Sequence, residues 1–521
     1  LIDPAAACRR EGPRMSPDIY AVRFVLDGQI HHARGERRTT TVLDYLREKL
    51  QRTGTKEGCA EGDCGACVVL VGELAPDGQR IHWKPVNSCM QVLPAMDGKA
   101  LKTVESLKRA DGSLHPAQEA MASCHGTQCG FCTPGFVMSV AALAQAQPAG
   151  GAAPTRAAVN DALAGNLCRC TGYRPIVDAA LQACAAPADQ RSLQDPQELA
   201  LLREIARPAT PRYNLEGELV VMPVVRTRKG SEFVSPATAE ELSAYLAAQP
   251  GATLLAGSTE FGLAVNKRFE RPSHIAYVGG VRELRAVRET ATAWHIGAAV
   301  PLDEVMALVA PQLPAFAEVL RRFGSPPIRA TATLGGNIAN GSPIGDSMPC
   351  LMALGAVLVL RKRGPRGQDV TRRVALDAFY TGQKQTVLQA GEYIETVEIP
   401  RPGERHFAAH KVSKRFDQDI SATCAAMSWR VDGQGVLRDV RLAYNGLTPF
   451  PARAPRLEAV LEGQRPEAVT AAALDAAVAA SFTPRDGLRA TWAYRALVAR
   501  NLVLRFIEPA PAATAPATAV A

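Results

Sequence analysis

Gln128-Cys129-Gly130-Phe131-Cys132-Thr133-Pro134-Gly135 and, after a helical interval, Gly165-Asn166-Leu167-Cys168-Arg169-Cys170-Thr171-Gly172-Tyr173 form the stretch on which the reading of this chain turns. One C-x2-C and one C-x-C, each just ahead of a helical pattern, make a four-thiolate cage with no histidine in it. Pro134 suits the first turn of one helix and Pro175 that of the next. A metal cluster held by four thiolates is anionic, and helix N-termini offer free N–H groups and a positive dipole end to negative charge. A second cage lies upstream in Cys59-Ala60-Glu61-Gly62-Asp63-Cys64-Gly65-Ala66-Cys67, with Cys89 following. Its C-x4-C-x2-C…C spacing is that of plant-type iron–sulfur ferredoxins. Structural zinc sites usually combine two C-x2-C knuckles. This loop has one, extended by a C-x4 arm and a distant fourth ligand. Iron–sulfur is therefore the reading, against a zinc protein that would be colourless. Gly58, Gly62 and Gly65 let the backbone wrap a small object and aim N–H groups at sulfur.

The totals are those of a soluble globular protein. At 521 residues the chain exceeds one core, and roughly three to four domains are expected. Hydrophobic residues make up 47% and charged residues 21%, with a net charge of +8. The densest basic run (Arg361, Lys362, Arg363, Arg366, Arg372, Arg373) lacks interleaved aromatics to stack on bases. It reads as a solvated hairpin, and nucleic acid is not an expected partner. Thirteen cysteines, clustered and odd in number, speak for metal ligands in a reducing, cytoplasmic setting over disulfides. No membrane span is expected, for no apolar run reaches about 18 residues, and residues 1–20 lack the apolar core of a signal peptide. Cys8, Cys184, Cys350 and Cys424 read as small apolar fillers or free thiols, Cys124 as surplus to the cage, and His125 as a turn or surface residue.

Taken in order, residues 1–14 read as a leader or added segment ahead of Met15. Residues 15–100 open with a strand, an Asp27-Gly28 turn and a returning strand. A helix then starts at Thr41, with Leu43, Leu46 and Leu50 on one face, and a strand runs from Cys67 to Val71. Residues 101–185 are helical, with Phe136, Val140, Leu143 and Ala144 sharing one face and Ile176, Val177, Ala180, Leu181 and Cys184 another. Residues 186–225 are polar and proline-bearing, a linker or surface wrap without strong periodicity. In 226–402, Ser235 or Thr238 can cap a helix. There a buried strand runs into a glycine turn and a helix start over Thr253–Phe261, offering backbone donors to a pyrophosphate. A second small-residue loop follows at Ala332–Asp346. Neither fits the Rossmann or P-loop pattern, and two loops converging on one diphosphate is the alternative. Residues 403–508 alternate strands (Ala425–Val431, Val440–Tyr444) with helices (Pro455–Leu461, Val469–Ser481, Thr491–Phe506). Residues 509–521 form an Ala/Pro-rich tail expected to be disordered.

Lys56 to Cys67, Gln128 to Gly135 and Gly165 to Arg174 together resemble the xanthine dehydrogenase family, and most closely its bacterial small subunit carrying two [2Fe-2S] clusters and FAD. The likeness runs from about residue 20 to 506. It implies a multidomain α+β protein: a ferredoxin-like β-grasp [2Fe-2S] domain, a four-helix [2Fe-2S] domain, a two-part α+β FAD-binding domain (vanillyl-alcohol-oxidase-like) and an α+β C-terminal cap. Carried over by position, it implies one cluster on Cys59, Cys64, Cys67 and Cys89. The other would sit on Cys129, Cys132, Cys168 and Cys170, with Gln128 facing a pterin held by a partner. For FAD it implies Leu254, Leu255, Ala256, Gly257, Ser258, Thr259, Glu260 and Phe261 in the first loop, and Thr333, Gly336, Asn337, Asn340, Ser342 and Asp346 in the second. Phe323, Ile394 and Lys411 complete that set, although Ser325-Pro326-Pro327 departs from the family's pattern. A molybdenum–pterin large subunit, an (αβ)2 assembly and NAD+ as acceptor are likewise implied. No side chain of this chain is expected to act as acid or base on a purine. The same features would serve a hydroxylase for aldehydes, N-heterocycles or carbon monoxide, because the missing chain selects the substrate. A stand-alone iron–sulfur flavoprotein carrier is the rival of another class.

Overall fold

The computed structural model describes residues 21–109, 111–206 and 231–508, and the backbone of the strands Arg212–Tyr213, Leu219–Val220 and Val225–Thr227. The expected leader at 1–14 and tail at 509–521 lie outside the described residues.

The chain starts with β1 (Val22–Leu26) and β2 (Gln29–Ala33), joined by Asp27 and Gly28 at φ 51° and 67°. Two left-handed residues in a row match the strand twist and close the hairpin tightly. With β3 (Val68–Leu74), β4 (Ile81–Asn87) and β5 (Lys99–Lys102) they form a sheet in the order β2-β1-β5-β3-β4. Only the β1–β5 pair is parallel. Thr41 Oγ1 accepts the Asp44 N–H at 3.0 Å and caps the helical segment behind the sheet. That segment widens into a π-helical turn at Tyr45–Lys49 and buries Val42, Leu43 and Leu46. Leu50 is only half-buried at its end.

Four helices follow at Pro116–Ser123, Thr133–Ala146, Arg156–Leu163 and Arg174–Ala185. Their apolar faces share one core with Val25, Val68, Leu70 and Trp83 of the sheet. Residues 186–206 depart from the expected aperiodic linker. Asp195 caps a helix at Pro196–Ile205, whose Leu202 and Ile205 enter that same core. Gln194 pairs with both backbone groups of Ile81, at 2.9 and 2.8 Å, and Lys102 forms a buried ion pair with Glu198 at 2.6 Å. The surrounding Gln, Asp and Glu residues masked a short amphipathic helix with its own Asp-Pro start signal.

The next part has two sheets. Three parallel strands, Thr253–Leu255, His274–Tyr277 and Ser231–Val234, extend antiparallel to Val225–Thr227. Five antiparallel strands run in the order Val287–Glu289, Ala293–Gly297, Tyr393–Pro400, Val357–Arg363, Asp369–Ala375. The basic run is a hairpin, as expected, but its charges are matched. Arg361 bonds Asp369 and Glu395 at 2.5 and 2.6 Å, and Arg372 bonds Glu392 at 2.7 Å. The last part is an antiparallel sheet (His406–Val412, Thr423–Val431, Leu437–Asn445, Ala452–Arg453) covered by helices Pro455–Leu461, Ala471–Ser481 and Trp492–Ile507. Its first strand was not foreseen. Among the described residues no helix is long and apolar enough to cross a membrane.

Candidate redox-cofactor sites

The first cysteine loop leaves the helical segment at residue 50 and returns as β3, so its sulfurs gather at the end of the sheet. Cys67 and Cys89 are buried, with sulfurs 3.3 Å apart. Cys59 and Cys64 form a second touching pair. The Cys64 thiol bonds the Cys59 sulfur, and together with backbone N–H donors it lowers the Cys59 pKa to about 5. Those donors are Glu61, Asp63 and Cys64, each at 3.4 Å. Cys89 acts likewise on Cys67, whose pKa is lowered, while Cys64 and Cys89 are pushed up as the proton-holding members.

The second set stands on helix N-termini, as the prolines suggested. Cys132 is the residue at which helix Thr133–Ala146 begins, and the Cys168/Cys170 turn leads into Arg174–Ala185. Cys132 bonds Cys168, and Cys129 bonds Cys170. Burial, then the Cys168 contact, raises Cys132 to about 12. Cys129 and Cys170 are exposed. Cys124 turns away to donate to Gln182 at 3.0 Å, and His125 sits in a turn at φ 55°, both as read from the sequence. Cys184, Cys350 and Cys424 are buried free thiols.

Among the described residues no three His, Cys, Asp or Glu side chains converge to grip a single ion. The donor set, eight cysteine sulfurs in two groups of four with no histidine among them, fits two all-thiolate iron–sulfur clusters.

The two cysteine sets are joined directly. Leu167 N–H donates to the Cys64 carbonyl at 3.0 Å. Asn166 Nδ2 donates to the Gly65 carbonyl at 3.1 Å, and its oxygen accepts from Ser139 Oγ at 2.7 Å. Gly65 has φ 69°, and a Cβ there would lie 2.2 Å from the Gly165 carbonyl, so only glycine permits this approach.

The nucleotide-binding expectation rests on helix Thr259–Lys267. Ser258 precedes it at φ 64°, no side chain caps it, and its first N–H groups remain available to an anion. A Cβ on Gly257 would meet the Thr331 carbonyl at 1.8 Å, so the two small-residue segments touch backbone to backbone. The second is not a continuous loop as read. Leu334–Asn340 is a short helix capped by Thr333 Oγ1 on Gly336 N–H at 3.1 Å. Asn340 reaches Glu260 of the first segment at 3.4 Å. Leu254 and Gly336 are exposed, and Thr259, Glu260, Asn337, Asn340 and Ser342 half-buried, forming an open face. Both the uncapped helix start and the bare backbone between the segments fit a dinucleotide's diphosphate.

Asp346 and Lys411 meet elsewhere. They form a 2.6 Å ion pair with both side chains 1% exposed. Ser421 and Asn445 donate to the other Asp346 oxygen at 2.7 and 2.6 Å. This knot ties the second segment to the C-terminal sheet. Phe261 packs by Leu255 and Ile275, Ile394 is buried opposite Leu360, and Phe323 is half-buried against the large core. Sequence reasoning passed over Ser258 Oγ on the Met90 carbonyl (2.5 Å) and Gln91 on the Gly257 carbonyl (3.0 Å), contacts between distant segments that no local pattern announces.

Family models match four consecutive parts of the chain. They are a 2Fe-2S iron-sulfur cluster binding domain over residues 24–92, a [2Fe-2S] binding domain over 103–181, an FAD binding domain in molybdopterin dehydrogenase over 228–402, and a CO dehydrogenase flavoprotein C-terminal domain over 408–510. Xanthine dehydrogenase of Drosophila subobscura is 34% identical over 466 residues, covering 81% of this chain and 34% of its own length. Aldehyde oxidase 1 of Bos taurus is 33% identical over 457 residues, covering 79% and 33%. The chain thus spans about a third of the length of these curated relatives. A carbon monoxide dehydrogenase structure from Hydrogenophaga pseudoflava covers 54% of this chain and 96% of its own at 29% identity, with a TM-score of 0.48. Two [2Fe-2S] domains, an FAD-binding domain and a flavoprotein C-terminal domain thus follow one another along the chain, in the multidomain α+β arrangement expected from the sequence.

Proposed function

We propose that this chain is the electron-transfer subunit of an NAD-linked xanthine dehydrogenase, working with a partner chain that binds molybdenum–pterin, in an (αβ)2 assembly. The observation that carries the electron-transfer reading is the Leu167-to-Cys64 hydrogen bond, which places one cysteine set against the other. Cys59, Cys64, Cys67 and Cys89 hold one cluster, and Cys129, Cys132, Cys168 and Cys170 the other. Residues 254–261 with Thr333, Gly336, Asn337, Asn340 and Ser342 receive FAD. Asp346 and Lys411 hold that surface in place through their buried knot. When bound, iron–sulfur clusters would supply single-electron carriage, and FAD would supply the means to combine two electrons with a proton for hydride delivery to NAD+. The chain's own work is to space the sites, exclude water from the inner sulfurs and present the outer ones, with Gln128, to the partner.

Purine as substrate is supported by the xanthine dehydrogenase relatives. The aldehyde oxidase match, at nearly the same identity, favours a second reading in which the partner oxidises aldehydes. Assaying the native complex with xanthine and with aldehydes, NAD+ as acceptor, separates them. NADH formed with xanthine alone is the expected result, and turnover of aldehydes alone overturns it. The module itself is tested by the visible spectrum of the purified chain with iron and flavin quantified. Lys411→Met leaves Asp346 buried and unpaired, and is expected to cost about 3–5 kcal/mol in denaturant unfolding and to lower FAD content.

A further inference from the structure

The helix that opens the flavin face ends on the first cysteine loop. At its start, Ser258 Oγ holds the Met90 carbonyl, next to Cys89. In its middle, a Cβ on Gly262 would lie 2.8 Å from that same carbonyl, so the helix backbone rests directly on this arm. At its end, Asn266 Nδ2 donates to the carbonyls of Ala60 at 3.1 Å and Cys89 at 2.8 Å. A primary amide has two N–H bonds. Asn266 therefore staples the two separate arms of the loop with one group. Its neighbour Lys267 donates from Nζ to the Cys59 carbonyl at 2.6 Å and lies 3.6 Å from the Glu61 carboxylate.

We propose that Asn266 and Lys267 are positioning residues for the first cluster: Asn266 fixes the spacing of its two ligand arms, and Lys267 holds a positive charge that raises its reduction potential. The proposal rests on the ligand assignment made above. Donors on the carbonyls of ligand residues draw electron density away from the site and lock the ligand backbone, the usual part of an outer shell. A helix C-terminus presents partial negative charge, which disfavours an anionic cluster, and a lysine in the last turn offsets it. The same helix thereby links the first cluster's geometry to the flavin face at its other end.

Two variants of the full chain test this by EPR-monitored redox titration. Asn266→Asp keeps the size, loses both donors and adds negative charge. Lys267→Met keeps the stem and loses the charge on a side chain that is 45% exposed. Both are expected to make the first cluster's midpoint more negative while the second cluster's stays put. The Lys267→Met shift should shrink as salt is raised, because an exposed charge is screened. Asn266→Asp is further expected to speed chelator-driven loss of the first cluster's iron about tenfold. An unchanged first-cluster midpoint in Lys267→Met, or equal shifts at both clusters, overturns the proposal, even where Asn266→Asp fails to retain iron. Wild-type protein without two distinct cluster signals would instead overturn the ligand assignment.

Discussion

The two cysteine sets carry the same donors and differ in who covers them. Cys67 and Cys89 are each 2% exposed, enclosed by their own sheet and by the helix that opens the flavin face. Cys129 and Cys170 face outward beside Phe131, Leu167 and Tyr173, which are 47%, 43% and 40% exposed. The first set lies in a loop returning into a strand, with other parts of the chain folded over it. The second stands on helix N-termini at the rim of the bundle. Sulfur burial and solvent access are among the levers on cluster potential. Large apolar side chains beside exposed sulfurs form the kind of surface that another chain covers. One architecture thus builds an inner site that this chain closes over at Cys67 and Cys89, with Cys59 and Cys64 half-buried, and an outer site left for the proposed partner.

The largest expected difference comes from removing one ligand on each side. Cys170→Ser and Cys67→Ser should each halve the iron. Cys170→Ser is expected to keep its flavin, since among the described residues no hydrogen bond joins the turn at residues 168–173 to the flavin face. Cys67→Ser should lose flavin as well, because Met90 and Gln91, just past Cys89, hold Ser258 and Gly257 in place. Iron and flavin analysis of both purified variants checks this. Equal flavin content in the two would break the distinction between inner and outer sites.

Much of this asymmetry lay beyond sequence reading, for reasons that differ by residue. The eight cysteines could be found because spacing along the chain encodes their geometry. The β1–β2 hairpin could be found because Asp27-Gly28 requires left-handed backbone, and the helix starts because Pro134, Pro175, Thr41 and Thr238 are local signals. Burial of Cys67 against exposure of Cys129 could not be read, since it is set by residues far away in the chain. Asn166 and Asn266 look like ordinary polar residues until the segments they bridge are side by side. Leu202 and Ile205 were hidden by a polar composition, and the strand His406–Val412 by a mixed pattern without alternation. Asp346 and Lys411 were singled out by resemblance, and only packing reveals that they grip each other.

Acid should separate the two domains next. His115 is 3% exposed and begins helix Pro116–Ser123, its Nδ1 accepting the Ala117 N–H at 3.1 Å. Burial lowers its pKa to about 4. The folded domain therefore keeps it neutral, while the unfolded chain takes up a proton near its ordinary value of about 6.5. The unfolded state binds more protons between those values, so stability rises with pH there. It is fully present above about 6.5 and falls as pH drops toward 4, by up to about 3 kcal/mol. The sheet's His31 and His82 are also lowered by burial, but His31 is only half-buried and His82 exposed, which weakens their effect. The outer cluster's visible circular dichroism should thus disappear at lower temperature than the inner one's as pH falls from 7 to 5, and His115→Gln should flatten that dependence. Simultaneous loss of both signals at every pH would remove the distinction.

The smallest expected effect concerns the seam itself. Asn166 is 3% exposed and joins the two loops through Gly65 and Ser139. Asn166→Ala strands the Gly65 carbonyl and the Ser139 hydroxyl, and leaving a buried polar group unpaired costs about 1–3 kcal/mol. The Leu167-to-Cys64 hydrogen bond, which sets how closely the two sites approach, depends on the same turn staying in place. Denaturant unfolding should therefore register a modest loss. The magnetic coupling between the two reduced clusters should weaken, with iron content and each cluster's midpoint unchanged. Coupling that survives Asn166→Ala at full strength would show that the backbone bond alone holds the inner and outer sites in register.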